Sequence, residues 1–268
     1  MKVLVTGYSG FLGSYLCKNL SKKFEIIKVN LRDIPEENSS FFNTFLDKFI
    51  DVDVIINCAA NLKPKTKKDI FINQDFPKIL LDYFKKKEKN IFFIHISSIN
   101  VLINDRKDFY TVTKKKAEEN LENQNIVIIR LPLIYDKINN IIQATGNFKQ
   151  IDSYLNLSFL PVYPMIFPGH IHYPVEINKI ANFIEKIITN GKTGRSIYNI
   201  AGKNKKSLWD LFQEMASYKN KKVLKIDFKI FNKIIPNVIK NFLIKNSSVL
   251  QQIIVIDHTE YKEKKEFL

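Results

Sequence analysis

The stretch Thr6-Gly7-Tyr8-Ser9-Gly10-Phe11-Leu12-Gly13 follows the apolar run Val3-Leu4-Val5 and opens a helical pattern. Glycines at that spacing suit a strand-to-helix turn holding a pyrophosphate. Gly7 permits the tight turn, Gly10 lets the backbone approach the phosphates, and Gly13 lets the helix pack on the strand. The free N–H groups and positive dipole end of the helix then face the anion. A second pattern, tyrosine followed four residues later by lysine, suits acid–base chemistry. A free phenol titrates near about 10, and a cation one helical turn along the same face favours its ionised form. The chain contains this pair four times, as Tyr83/Lys87, Tyr110/Lys114, Tyr218/Lys222 and Tyr261/Lys265, and a lysine-rich sequence makes it by chance. Only Tyr110 lies between an apolar run ending Ile96-Ser97-Ser98 and another, Ile126–Arg130, near the carboxyl ends of a sheet. The other three read as solvated helix faces or tail.

The elements that would position these residues alternate. Apolar runs Lys2–Val5, Glu25–Val29, Val54–Cys58, Ile91–Ile96 and Ile126–Arg130 read as strands. Leu12–Leu20, Ile70–Tyr83 and Tyr110–Leu121 between them read as helices, which predicts a parallel sheet with crossover helices. Asn30–Asp53 has room for one short helix around Phe41–Phe49 and not for a full strand as well. After Leu131 the pattern loosens, with five prolines from Pro132 to Pro174. Regularity returns as a helix at Ile177–Ile188, a strand at Ser196–Ile200 and a helix at Leu208–Ala216. The charged tail Glu260–Leu268 is expected to fray. The division this implies is 1–131 for a dinucleotide-binding domain and 132–268 mainly for a substrate lobe, with segments at about 177–200 returning to the core.

The glycine loop with Thr6 ahead of it resembles that of the extended short-chain dehydrogenase/reductase superfamily, also called the NAD-dependent epimerase/dehydratase family. Other landmarks occur in that family's order: Asp53-Val-Ile-Ile-Asn-Cys-Ala-Ala60, Asn73, Ile96-Ser97-Ser98, Tyr110-Thr-Val-Thr-Lys114 and Arg130-Leu-Pro-Leu-Ile-Tyr135. Tyr173–Ala181 and Tyr198–Gly202 continue the resemblance to about Ala216. It implies an α/β fold, a Rossmann-type parallel sheet with helices on both faces plus a small C-terminal substrate lobe. It implies Tyr110 as general acid/base, Lys114 as the cation that lowers its pKa together with the cofactor's positive ring, Ser98 as a hydrogen-bond partner of the reacting oxygen, and Asn73 as a support. Gly7, Ser9, Gly10, Phe11, Leu12 and Gly13 would hold the cofactor's phosphates, with Cys58, Ala59 and Ala60 passing beside it and Pro132 closing the nicotinamide side.

The implied activity is an NAD(P)-dependent sugar oxidoreductase or epimerase working on a nucleotide-linked or lipid-linked sugar in surface polysaccharide synthesis. In the family's 4,6-dehydratases the catalytic threonine is followed by Asp and Glu, which carry the elimination. Here Ile99 and Asn100 follow Ser98. GDP-fucose synthase has a cysteine at the place of Ile99, so C3/C5 epimerisation is also set aside, leaving 4-keto reduction or 4-epimerisation. The short link from Ser98 to Tyr110 and the reduced third strand depart from the usual extended pattern. NADP is expected over NAD: the place where an acid would take the ribose hydroxyls falls at uncharged Asn30, with Arg32 two residues on to meet a 2′-phosphate and Asp33 as the competing reading. From a different class, a non-catalytic dinucleotide-binding regulatory or structural protein would keep the glycine loop and lose the tyrosine or lysine. Ser98, Tyr110 and Lys114 are all present.

The formal charge of +15 raises a nucleic-acid reading, but the chain has only four arginines, Arg32, Arg106, Arg130 and Arg195. Base readout leans on the planar guanidinium, so anionic substrates or an anionic membrane surface suit the lysines better. Cys17 and Cys58 offer neither a disulfide framework nor metal spacing. Gly169-His170-Ile171-His172 reads as a loop without further metal ligands, His95 as a satisfied core histidine and Trp209 as packing. No apolar run reaches the length of a spanning helix and no secretory leader is evident, so a cytoplasmic protein is expected. Within 228–245 an apolar stripe from Phe231 to Leu243 alternates with lysines, and it can pack on the lobe or lie on an anionic membrane. A homodimer is left open.

Overall fold

The computed structural model describes residues 1–227 apart from 37–40, 104–105, 123, 147, 159–160, 168, 170 and 192–193, together with Glu266–Phe267. The apolar stripe within 228–245, His170 and Tyr261 lie outside the described residues. The chain runs β1 (Lys2–Thr6), α1 (Phe11–Leu20), β2 (Glu25–Val29), α2 (Phe42–Asp47), β3 (Val54–Asn57), α3 (Lys67–Gln74), α4 (Phe76–Lys86), β4 (Phe92–Ser98), α5 (Phe109–Asn120) and β5 (Val127–Leu131). Short strands follow: β6 (Ile134–Tyr135), β7 (Lys137–Ile138) and β8 (Ile141–Ile142). Then come α6 (Phe148–Leu155), β9 (Tyr163–Phe167), β10 (Ile171–His172), β11 (Val175–Glu176), α7 (Ile177–Asn190), β12 (Ser196–Ala201), β13 (Lys206–Ser207), α8 (Leu208–Tyr218), β14 (Val223–Asp227) and β15 (Glu266–Phe267).

The main sheet has the order β15-β12-β5-β4-β3-β1-β2, and every pairing in it is parallel. Such a sheet must be covered on both faces, which is why β3 and β5 are built of Val and Ile at nearly every position. On one face Val3, Val5, Ile56, Ile94 and Ile129 pack with Leu16 and Leu20 of α1 and Ile180, Ile184 and Ile187 of α7. On the other, Leu4, Ile55, Phe93 and Ile128 meet Phe42, Phe71, Leu80 and Phe84 from α2, α3 and α4. β1 and β3 turn out adjacent in register, Thr6 beside Asn57. Among the described residues no strand lies beyond β2, where only one turn at Leu31–Asp33 and the short α2 occupy the connection.

Four differences from the sequence reading have local causes. The expected helix Ile70–Tyr83 is two helices: the chain turns at Asp75, and Pro77 sits in the first turn of α4, where its missing N–H costs nothing. The tail expected to fray instead gives Glu266–Phe267 to the sheet edge, paired with Ile200 and Ala201 of β12. His172 is not in a loop but in β10, paired with Lys206 of β13. The stretch after Leu131 is more regular than expected. α6, α8 and the parallel pair β9–β14 enclose a second core of Phe148, Leu155, Tyr163, Met165, Leu211, Phe212 and Met215. Trp209 packs there edge-on to Phe167.

Phe84 is fully buried under the sheet, whereas Phe41 is 71% exposed. Phe84→Ala should therefore cost about 3–5 kcal/mol in a urea titration, and Phe41→Ala should leave the midpoint nearly unchanged. Equal shifts for the two would contradict this assignment of the core.

Candidate functional site

The phosphate loop is shaped by contacts that exclude a side chain. Gly7 has φ +69°, and a Cβ there would stand 2.8 Å from Ala59 Cα. A Cβ on Gly13 would come within 2.3 Å of the Gly7 carbonyl oxygen. Gly10 is the extended N-cap of α1 and supplies no side-chain acceptor, so the first-turn N–H groups of the helix are available to an anion. Ser9 and Gly10 are exposed, Phe11 and Leu12 half-buried, and Cys58, Ala59 and Ala60 run alongside. A Cβ on Gly146, whose φ is +54°, would meet the Phe11 ring at 2.8 Å, so the chain before α6 reaches the loop from the second core. The cradle is one that a pyrophosphate fits.

A polar row that the sequence reading did not assemble underlies this loop. Thr6 Oγ1 donates to Asn57 Oδ1 at 2.5 Å and accepts from the Ala59 N–H at 3.2 Å. Asn57 Nδ2 lies 3.1 Å from His95 Nδ1. Since the Asn57 oxygen is already an acceptor, its amide donates and the His95 proton sits on Nε2. Among the described residues that Nε2 has no hydrogen-bond partner, so His95 is only half satisfied, contrary to expectation. Burial, then the Lys114 charge, pushes its pKa well below the ordinary value and keeps the ring neutral.

At the end of the second strand Asn30 and Asp33 form a capping box. Asn30 Oδ1 accepts from the Arg32 N–H at 3.1 Å, and Asp33 Oδ2 accepts from the Asn30 N–H at 3.2 Å. β2 ends at Val29, so Asp33 is turned back on the backbone while Arg32 stays exposed.

Ser98 ends β4, Lys114 reaches that strand from α5, and Tyr110 stands one turn earlier on the same helix. The Lys114 side chain is fully buried, and its Nζ donates to the Ile96 carbonyl at 2.8 Å. Burial pushes the amine down to about 8, against the opposing pull of Cys58 and Glu118. Ser98 Oγ is buried and accepts from the Asn100 N–H at 3.3 Å, which leaves its own hydrogen to donate. Tyr110 is half-buried on the first turn of α5. Its phenol is not lowered by Lys114 in this structure: burial pushes it up to about 12, with Asp108 adding and Arg106 opposing. The Cys58 thiol is likewise raised by burial to about 12. Asn73 is buried and braces this arrangement. Its amide donates to the Asn61 carbonyl at 2.8 Å and to Thr113 Oγ1 at 3.2 Å, and Thr113 Oγ1 donates to the Tyr110 carbonyl at 2.9 Å. Pro132 follows β5 half-buried, at the same edge of the sheet.

Of the other Tyr/Lys pairs, Tyr83 is a correction. It is buried, and its hydroxyl donates to Asp47 rather than to solvent. Tyr218 is 46% exposed and bonds the Asn140 carbonyl on the second core.

The sequence reading also missed Glu118. It lies eight residues after Tyr110 and four after Lys114, so the three share one helix face. Its carboxylate is buried, accepts from Ser97 Oγ and takes Arg130 in a fork, Nη2 to Oε2 at 2.7 Å and Nε to Oε1 at 3.1 Å. Arg130 Nη1 reaches on to Asn199 Oδ1 of β12 at 3.2 Å. Among the described residues no helix is long and apolar enough to cross a membrane, and no cluster of His, Cys, Asp and Glu could hold a metal.

Comparison with known proteins follows this geometry. The model of the NAD dependent epimerase/dehydratase family matches residues 3–123. A UDP-2-acetamido-2,6-beta-L-arabino-hexul-4-ose reductase of Pseudomonas aeruginosa is 27% identical over 144 residues, which take in 51% of this chain and 37% of that protein. The chain thus spans little more than a third of that curated relative. Among solved structures, a dTDP-4-dehydrorhamnose reductase of Clostridium acetobutylicum superposes with a TM-score of 0.69 at 22% identity, covering 86% of this chain and 85% of that one. A dTDP-4-dehydrorhamnose reductase of Bacillus anthracis in complex with NADP gives 0.67 at 18%, with the same coverage. The fold is the Rossmann-type α/β fold of these enzymes, and residues 3–123 are similar to the NAD dependent epimerase/dehydratase family.

Proposed function

We propose that this protein is an NAD(P)-dependent oxidoreductase of a nucleotide-linked sugar, acting at a single carbon by 4-keto reduction or 4-epimerisation. The observation that supports the reading is the burial of Ser98 and Lys114 at the carboxyl end of β4, with Lys114 Nζ on the Ile96 carbonyl and Tyr110 one turn before Lys114 on α5. The relatives named above as reductases of 4-keto sugars support it. When bound, the dinucleotide supplies or takes the hydride. Ser98 donates to the sugar oxygen and orients it. Tyr110 passes its proton to that oxygen as the carbon is reduced, or takes it in the reverse direction. A phenol that burial keeps protonated at neutral pH is in the form that reduction needs. Lys114 stabilises the phenolate left behind, a demand that arises only once the proton has moved. Ile99 and Asn100 beside Ser98 offer no carboxylate for dehydration, in keeping with chemistry confined to one carbon.

The residues of the glycine loop would hold the pyrophosphate, and the exposed Arg32 would meet a 2′-phosphate, which favours NADP. Asp33, the residue that would serve NAD, is engaged with the Asn30 N–H. A place in surface polysaccharide synthesis follows from the substrate class proposed.

The test is oxidation of NADPH, followed by absorbance, in the presence of a nucleotide-linked 4-keto-6-deoxy sugar. Retained dinucleotide with no turnover of any keto-sugar or 4-epimer would instead favour a non-catalytic binding protein. Tyr110→Phe should lower turnover by at least about 100-fold, in the range of a lost acid–base catalyst, and leave dinucleotide affinity nearly intact. Tyr218→Phe should leave turnover unchanged, and Tyr83→Phe should cost stability without touching catalysis. Loss of activity in Tyr83→Phe with Tyr110→Phe unaffected would refute the site.

Arg32→Ala should weaken NADP by roughly 10-fold or more, about the worth of one charge-assisted contact, and leave NAD unchanged. Titration of both dinucleotides by fluorescence decides this, and an equal loss for the two would make Arg32 merely structural.

A further inference from the structure

We propose that Glu118 is a positioning residue that acts through Lys114: its carboxylate, clamped by Arg130 and Ser97, fixes the turns of α5 that aim Lys114 and Tyr110 at the end of β4. The inference rests on the reading of Tyr110 and Lys114 given above. Tyr110, Lys114 and Glu118 stand at successive turns of one helix face, and all that face lies against the sheet. Only the last has a fork of bonds to it. Arg130 on β5 grips both carboxylate oxygens, and Ser97 on β4 donates to one of them. Asn199 on β12 holds the far side of the guanidinium. Four elements are thus tied at a point one turn below the buried ammonium.

The pair is too well enclosed to be a surface ornament. The Glu118 and Arg130 side chains are 8% and 13% exposed. A buried ion pair of this kind is not in itself a strong source of stability, because both charges lose their hydration. Fixing geometry and charge is what it does better than apolar packing would. The charged and titratable groups facing Lys114 are Cys58 from the end of β3, His95 from β4 and Glu118 from its own helix, with Arg130 behind the last. Cys58 and His95 are held neutral by burial at ordinary pH. Glu118 is then the anion that favours the charged form of Lys114, so its removal lowers the pH at which the ammonium is lost.

The experiment compares wild type, E118Q/R130M and E118D, all with NADPH bound. The double variant removes both charges so that no lone buried arginine remains. Lysine labelled at Cε is titrated by NMR, with Lys114 assigned from Lys114→Arg, and the pH profile of kcat is measured beside it. In E118Q/R130M the Lys114 midpoint should fall by up to about one pH unit, loss of the more distant Arg130 charge offsetting only part of the loss of Glu118. The basic limb of kcat should move with it and KM change less than about 3-fold, while E118D keeps the midpoint. A folded E118Q/R130M with midpoint and limb unmoved overturns the proposal. If that variant does not fold by circular dichroism, E118D carries the test. It keeps the charge but withdraws it by one methylene, so kcat should fall at constant KM, and an unchanged kcat overturns the proposal. A shifted midpoint in a protein that turns over no keto-sugar would sink the functional reading and leave the hold of Glu118 on Lys114 standing.

Discussion

The demand around which this site is built is the burial of one ammonium group. Lys114 is stripped of water at the carboxyl end of a parallel sheet, where an unpaired charge costs several kcal/mol. The Ile96 carbonyl accepts one of its protons, and Glu118 adds a negative charge that favours the ammonium. Both partners are held by other elements: Ile96 by its pairing to Ile129 of β5, Glu118 by Arg130 and Ser97. The cost of the buried cation is therefore offset by elements that also set the direction of Tyr110. A helix free to slide on the sheet could not hold the charge and the phenol at once.

The same economy appears across the sheet. Thr6, Asn57 and His95 are register partners on adjacent strands, so their side chains point to one face in a row. In β1, β3 and β4 these buried polar residues lie toward the carboxyl ends of the strands, the edge at which parallel sheets of this kind bind ligands. Thr6 fixes the Ala59 N–H, Ala59 closes on Gly7, and Gly7 sets the entry to α1. The shape of the glycine loop is thus settled partly by residues some fifty positions away, on β3 and just beyond it.

This explains which parts were legible in the sequence. The glycine loop was, because close backbone approach leaves glycine as the one residue that fits. The strands were, because a sheet covered on both faces is built of runs of consecutive apolar residues such as Val54-Ile55-Ile56 and Val127-Ile128-Ile129. Tyr110 could be chosen from four similar pairs by its place between two such strands. Glu118 was not legible as a site residue: a lone Glu among Lys115, Lys116 and Glu119 looks like a solvated helix face, and only the partners on β4, β5 and β12 reveal its burial. The break at Asp75 was written in Pro77 but hidden by apolar spacing that runs on through it. The raised pKa of the Tyr110 phenol and the hold of Lys114 on the Ile96 carbonyl were not legible, because neither burial nor a backbone partner is written in the spacing of tyrosine and lysine.

The arginines complete the account of α5. In a chain whose positive charge is almost all lysine, two of the four arginines hold the two ends of this helix. At the amino end Arg106 Nε pairs with Asp108 Oδ2 at 2.7 Å, and Asp108 is itself the cap, accepting the Thr111 N–H at 3.0 Å and its hydroxyl at 2.7 Å. Near the carboxyl end Arg130 forks onto Glu118. Lysine would serve as a point charge at either place but could not present two parallel donors in a plane or reach Asn199 at the same time. The exposed lysines give the surface its field, which draws anions without choosing among them. Two of the arginines are thus kept for the two ends of α5, the helix that carries Tyr110 and Lys114.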